Sequence, residues 1–196
     1  VIIMGHRMAD VDSFGAAIGI YRIAKTLEKK AHIVVNDVSS SVKPLVDLFK
    51  GNPDYEEDMI IGSPTAIELA GTNSVLVVVD VDKPSITECP ELLKMCKAIV
   101  VLDHHRRGSE TIENATLSYV EAYASSACEM VSEILQYIGD NIKVKPDEAD
   151  CMYSGIMIDT NNFMTNTGVR TFEAAAILRR NGADVTRVRK LSREDA

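Results

Sequence analysis

Four apolar runs in this chain end in an acid or an imidazole. Val1-Ile2-Ile3-Met4 leads through Gly5 into His6, Asp10 and Asp12; Ser74–Val79 leads into Asp80; Ala98–Leu102 leads into Asp103-His104-His105; and Gly155-Ile156-Met157-Ile158 leads into Asp159. The first three, short apolar runs bounded by polar residues, read as strands buried on both faces, and the fourth closes a helix. In an open parallel sheet, ligands bind just past the carboxyl ends of the strands. On that premise the four clusters share one edge of the fold, and the carboxylates and imidazoles of His6, Asp10, Asp12, Asp80, Asp103, His104, His105 and Asp159 stand together as candidate metal ligands. The mixed oxygen and nitrogen donors suit manganese, zinc, cobalt or iron, whereas magnesium prefers oxygens and water. One ion needs fewer ligands than this, and two ions sharing a bridging carboxylate would use them all. Asp10, Asp12, Asp80 and Asp159 carry four negative charges, which two divalent cations cancel; clustering them without metal is unfavourable. Two metals about 3.5–4 Å apart activate water and stabilise both oxygens of a phosphoryl displacement. Arg106 and Arg107 follow at once and can grip phosphate oxygens.

Taken singly, most of these residues have plainer uses. His6 suits a hydrogen-bonded loop, Asp10 and Asp12 suit helix caps, and Asp80 and Asp159 suit turns; Arg106-Arg107 also fits a solvated pair. Adjacent histidines after a buried strand have no packing purpose, and four coincidences at one edge outweigh the separate explanations. His32 lies outside the pattern and reads as structural. Ser125-Ser126 reads as a helix cap, since no histidine is placed to make either serine a nucleophile.

The elements that must position these residues follow from the pattern. The expected class is α/β, a mainly parallel sheet flanked by helices, with the site at the carboxyl edge of its strands. Strands are expected at Val1–Met4, His32–Asp37, Met59–Ile61, Ser74–Val79, Ala98–Leu102 and Leu117–Val120. Helices are expected from an Asp12 or Ser13 cap to about Lys29, through Leu45–Phe49, from Ser63 to about Leu69, from Pro90 to Cys96, from Ala127 to Ile138, from Pro146 to Asp159 and from Thr171 to Arg180. The chain has 196 residues, 46% of them hydrophobic and 26% charged, so it is globular. Its net charge of −8 argues against binding duplex nucleic acid through the backbone. Cys89, Cys96, Cys128 and Cys151 form no CxxC pair and read as reduced core residues. No run is long enough to span a membrane. The abrupt opening on a strand reads as an excised piece of a longer protein, and Ser192–Ala196 reads as the start of a linker.

At these residues the sequence resembles the DHH phosphoesterase superfamily. Met4-Gly5-His6 through Ala17, Val79 through Ser85, Asp103 through Gly108, Tyr123 through Glu129, Asp159 through Phe163 and Arg170-Thr171-Phe172 resemble most closely the GdpP/YybT type of cyclic di-AMP phosphodiesterase. That resemblance implies a DHH domain over 1–191, with residues 192–196 leading to an absent DHHA1 domain. It implies two Mn²⁺, with Co²⁺ or Mg²⁺ as substitutes: His6 and Asp10 on the first, Asp12, His104 and Asp159 on the second, and Asp80 bridging. It places His105 against the scissile phosphate, Asp103 behind the histidines, and Arg106, Arg107, Ser125 and Arg170 on the substrate. The substrate would be a cyclic dinucleotide or short oligonucleotide. The intact protein would be a dimer whose cytoplasmic catalytic part hangs from a bacterial membrane anchor, and this fragment alone would turn over weakly or not at all. The alternatives are a nanoRNA or pAp phosphatase of the same superfamily and a degenerate regulatory module; a pyrophosphatase is less favoured.

Overall fold

Short β-branched runs make the sheet. The computed structural model describes residues 1–139 and 142–193. Strands β1 (Ile2–Met4), β2 (His32–Val34), β3 (Ile60–Ile61), β4 (Val75–Val79), β5 (Ala98–Asp103) and β6 (Leu117–Val120) pair in the order β3-β2-β1-β4-β5-β6. Every neighbouring pair is parallel. The α/β class and the parallel sheet are therefore as expected. From β1 the chain steps outward to β2 and β3, then returns to lay β4 on the other side of β1. The sheet reverses its winding direction between β1 and β4, and such a switch point opens a crevice at the carboxyl ends.

Helices cover both faces. On one face lie α1 (Val11–Thr26) and α5 (Ala127–Ile138), backed by α6 (Pro146–Asp159) and α7 (Val169–Arg180), around a core that includes Phe14, Ile18, Ile33, Val131 and Ile156. On the other, α3 (Ser63–Leu69) and α4 (Leu92–Met95) close a smaller core with Met4, Leu76, Val78, Ile99 and Val101. A short helix α2 (Lys43–Val46) caps the first core through Leu45 and Val46. All four cysteines are free and buried. Glu148 is fully buried, yet its carboxylate accepts from Arg22 Nε at 2.8 Å, Arg22 Nη2 at 2.7 Å, Tyr55 Oη at 2.7 Å and the Lys145 amide at 3.0 Å. A buried charge so satisfied pins α1 to the start of α6. Among the described residues no helix is long and apolar enough to cross a membrane.

Several expectations need correction: α1 stops at Thr26, short of Lys29, and α2 spans Lys43–Val46 without reaching Phe49. Helix α1 is capped by Asp10, whose Oδ1 accepts from the Ser13 amide at 2.8 Å, rather than by Asp12 or Ser13. It can start earlier because Val11 is already a core residue and Asp12 turns its carboxylate elsewhere. The strand at His32 ends at Val34, short of Asp37. A further helix, α8 (Val185–Arg193), takes in Ser192, which had been read as linker; residues 194–196 of that reading lie outside the described residues. Its apolar seam is narrow and its charge high. Asp184 starts it by accepting from the Thr186 and Arg187 amides at 2.8 and 3.1 Å, and Val188 is buried.

Two glycines let α1, α5 and α6 meet beneath the site. A Cβ on Gly155 would lie 2.5 Å from Cys128 Sγ and 3.0 Å from Asp12 Cα; one on Gly15 would lie 2.7 Å from the Cys151 carbonyl oxygen. Gly155→Ala is expected to destabilise the protein by about 1–3 kcal/mol through overpacking, despite a gain in helix propensity of about 1 kcal/mol. Adding Cys128→Ala should recover part of the loss, because the nearest clashing atom is removed. Urea unfolding of the single and double variants reads this; purely additive losses would contradict it.

Candidate metal centre

The carboxyl ends of β1, β4 and β5 converge at the switch point. Asp80, one residue past β4, is 2% exposed and sits in the left-handed region at φ +63°, with its amide donating to the Leu102 carbonyl at 2.8 Å. Aspartate is among the few residues that tolerate that conformation. Its two carboxylate oxygens face different histidines. Oδ1 is 3.0 Å from His104 Nε2, and Oδ2 is 3.5 Å from His6 Nε2.

Around each histidine stands a group of donors. His6 Nε2 lies 3.6 Å from Asp10 Oδ2, while its Nδ1 donates to the Arg7 carbonyl at 3.1 Å. Such a bond at the second ring nitrogen fixes the tautomer and aims Nε2 into the cluster. Asp10 thus both caps α1 and joins the group. His104 Nε2 lies 3.5 Å from Asp12 Oδ2 and 3.6 Å from Asp159 Oδ2. His6, Asp10 and Asp80 form one set of convergent donor atoms, and Asp12, His104 and Asp159 another. A third grouping, Asp80 with His104 and His105, is also geometrically open. There His105 Nδ1 is 2.7 Å from Asp103 Oδ1 but 3.9 Å from Asp80, so the ring is already committed to Asp103. Asp103 Oδ1 also accepts from the His104 and His105 amides at 2.9 and 3.3 Å.

The carboxylate least able to reach water is held by a helix end. Asp12 is 1% exposed; its Oδ2 accepts from the Ala127 amide at 2.8 Å and its Oδ1 from the Cys128 amide at 2.9 Å, at the start of α5. Free amides and the dipole at a helix N-terminus favour an anion there. The α5 N-terminus is itself braced. Ser126 caps it by accepting from the Glu129 amide at 3.0 Å, and buried Glu129 accepts from Ser125 Oγ at 3.0 Å and from the Thr171 hydroxyl of α7. Glu129, Thr171 and the α5 amides were not singled out as site residues by sequence reasoning. The signals available were the serine pair opening an amphipathic helix and the stretches Tyr123–Glu129 and Arg170–Phe172, and none of them hinted that an aspartate more than a hundred residues away would use that helix end.

The other candidates divide. Arg106 and Arg107 line a cavity of about 480 Å³ that shares a wall with His6, Asp80, Asp103 and His105. Ser125 is buried against Glu129, as part of the brace rather than an open surface. Arg170 stands on α7, with Nε and Nη2 donating to Glu133 Oε2 at 3.0 and 2.7 Å. His32 is buried away from the centre, its Nδ1 donating to the Asp58 carbonyl at 2.7 Å.

The donor chemistry fits divalent cations, and the electrostatics say why they would be welcome. Asp10 and then Asp80 lift His6 to about 11. Burial opposes protonation of His104, but Asp12 and Asp80 outweigh it and lift the ring to about 10. Burial, then Asp12, pushes Asp159 up to about 8. Burial, then Asp80, raises Asp12 as well. Imidazolium charges and shared protons therefore do the work of cations in the metal-free protein. His6 and His104 contribute stability below their unfolded value near 6.5, lost as pH rises toward about 11 and about 10. Asp159 acts in the same direction, because its raised value makes ionisation between about 4 and 8 costly. Metal-free protein in chelator should lose melting temperature as pH rises from 6 to 10, and added divalent metal should stabilise it more at the alkaline end because binding displaces those protons. Thermal scans across pH with and without metal check this; a metal-free melting temperature that rises over that range would contradict it.

Known proteins bear on this arrangement. The model of the DHH family's N-terminal domain matches residues 1–156. The cyclic-di-AMP phosphodiesterase GdpP of Bacillus subtilis is 43% identical over 198 residues, covering 99% of this chain and 30% of that protein. The cyclic-di-AMP phosphodiesterase PdeA of Listeria monocytogenes is 40% identical, covering 100% and 30%. This chain thus spans about a third of the length of these curated relatives. Among solved structures, an exopolyphosphatase-related protein from Bacteroides fragilis superposes with a TM-score of 0.79 at 19% identity, over 98% of this chain and 56% of that one, and shares its fold. With the family model covering most of the chain and Asp103-His104-His105 at the head of the switch-point crevice, this chain belongs to the DHH family of phosphoesterases.

Proposed function

We propose that this chain is the metal-binding catalytic domain of a phosphodiesterase that opens cyclic di-AMP to linear pApA. The observation that carries the reading is the sharing of Asp80: one oxygen faces His104 and the other His6, so a single carboxylate belongs to both donor sets. His6 and Asp10 would hold one manganese ion, Asp12, His104 and Asp159 a second, and Asp80 both. When bound, such a pair lowers the pKa of water and neutralises charge building on a phosphate. The cyclic di-AMP substrate is taken from the names of the relatives that match nearly all of this chain.

The protein's own groups supply the rest. Hydrolysis adds water across one P–O bond, leaving a 5′-phosphate and a 3′-hydroxyl, so the departing oxygen needs a proton. His105 is more than half exposed toward the crevice, and Asp103 holds its Nδ1 and raises its pKa. A ring so held presents Nε2 outward, where it can orient the phosphate or give a proton to the leaving oxygen. Asp103 is held in place by the two backbone amides that follow it.

Elemental analysis after manganese loading should find about two ions per chain, with Asp80→Ala falling below one because both sets lose a ligand. Full occupancy in that variant would sink the bridging assignment. His105→Ala should keep its metal and lose roughly 10²–10⁴ in rate on cyclic di-AMP. Metal loss there would mean that the two histidines have exchanged roles. The longer protein containing this chain is the right sample for the rate, assayed on cyclic di-AMP against pApA and pAp. Preference for the linear compounds would instead favour the nanoRNA or pAp phosphatase reading.

A further inference from the structure

The cavity beside His105 is walled largely by two loops that run on from the ends of β4 and β5. One runs on from Asp80 through Val81, Asp82 and Lys83 to Ile86, and the other from Arg106 through Glu110. They are fastened together at three points. The Ile112 amide donates to the Asp82 carbonyl at 3.0 Å, and the Ser85 amide and hydroxyl donate to the two Glu110 carboxylate oxygens at 2.9 and 3.1 Å. The first loop is also tied back to the end of β1, where the Arg7 amide donates to the Ile86 carbonyl and the Glu88 amide to the Gly5 carbonyl at 2.6 and 2.9 Å. So anchored, the loops form a fixed wall against the metal centre.

The charges on that wall are unequal in freedom. Glu110 is spent on Ser85. Asp82 is 7% exposed, and its Oδ2 is buried with no hydrogen-bond partner. Arg107 Nε stands 3.6 Å from that oxygen, and Arg107 Nη2 donates to Ser118 Oγ on β6 at 2.8 Å. Oδ1 accepts from the Ile112 amide at 3.3 Å, but a buried oxygen with no hydrogen bond asks for an explanation, and here Oδ2 holds a guanidinium by charge at the cavity's edge. Lys83 and Arg106 line the same cavity, are exposed, and have no ion-pair partner among the described residues. In a chain of net charge −8, three cations gathered on one wall while the carboxylates there are engaged or buried make a local site for an anion. At about 480 Å³ the space falls within the range of small-molecule pockets, and it opens directly on His105 and Asp80.

Resting on the proposed phosphodiesterase reading, we propose that this cavity is a second phosphate subsite, in which Lys83, Arg106 and Arg107 grip the phosphate one nucleoside away from the phosphate being cleaved, with Asp82 positioning Arg107. The ligand class is then a dinucleotide carrying two phosphates, rather than any phosphodiester. Guanidinium and ammonium groups suit a phosphate monoester or diester equally, through charge-assisted hydrogen bonds.

The test compares two ligands that differ by one phosphate, ApA and pApA, binding to the manganese-loaded chain at fixed ionic strength, in the His105→Ala background to suppress turnover. The chain should bind pApA about tenfold or more tightly than ApA. Lys83→Ala and Arg106→Ala should each erase most of that preference while leaving ApA affinity within about twofold. Asp82→Asn should reduce the preference less, with metal content unchanged. Equal weakening of both ligands would assign these cations to the cleaved phosphate and overturn the subsite. So would a chain that holds two metals yet shows no preference, or binds neither ligand. A chain that takes up no metal would overturn instead the reading on which the subsite rests.

Discussion

Repulsion among four carboxylates gathered at the β1/β4 switch point is the constraint around which the rest of the molecule is arranged. Asp80 and Asp12 are buried, Asp10 and Asp159 stand beside them, and in a protein interior like charges at such separations do not all ionise unaided. The chain meets this with three different sources of positive potential. Histidines from two strand ends are set between the acids, an entire helix is aimed with its N-terminus at the most deeply buried one, and a backbone amide caps the fourth. The raised values of His6, His104 and Asp159 show that these measures leave an excess of negative charge. That residual excess is what a divalent cation relieves, so affinity for metal and the cost of the metal-free state have one origin.

Much of the packing follows from bringing those groups together. Asp12 reaches the amides of α5 only if α1, α5 and α6 approach closely, and Gly15 and Gly155 remove the side chains that would keep them apart. The same approach buries Cys128, whose thiol donates to the Asp12 carbonyl at 3.3 Å. The brace of Ser125, Glu129 and Thr171 then couples the α5 N-terminus to α7. A helix end used as a permanent counter-charge cannot be left to fray, which gives these otherwise unremarked residues a purpose.

The strand order was not legible in the sequence, but the strand ends were. Each buried run stopped at a residue that sheet geometry carries to the same edge, so Asp80 and Asp103-His104-His105 could be grouped from composition and the rule for parallel sheets alone. Asp159 came along for a different reason, since it ends a helix rather than a strand. Periodicity found α5, which carries a wide apolar face, while Pro146-Asp147 marked the start of α6 and Asn181-Gly182 the end of α7. Periodicity missed α8, whose seam is narrow and whose charge resembles a linker. The cap of α1 lies two or three residues before the expected one because Asp10, Asp12 and Ser13 are all chemically able to cap. Which one does so depends on where α5 lies, a long-range contact that local spacing does not encode. Ser125 and Arg170 were grouped with the substrate by resemblance of motif. In the fold they face Glu129 and Glu133, so the same residues fit an internal role.

The asymmetry of charge around the centre gives the site a direction. On the α5–α6 side the metal-facing groups are acids, and the helix N-terminus that offsets them is saturated by Asp12. On the β4–β5 side the loops that leave the strands carry Lys83, Arg106 and Arg107 toward the opening. On the proposed reading these cations would draw a polyanionic ligand to this rim, which adjoins His105. On the proposed reading, the phosphate to be cleaved would lie between the metal ligands and the cations, with the remaining bulk of the ligand over the β4–β5 loops. Placing anion attraction beside the metal-facing carboxylates, rather than among them, would let one crevice collect cations at its floor and anions at its wall without either neutralising the other.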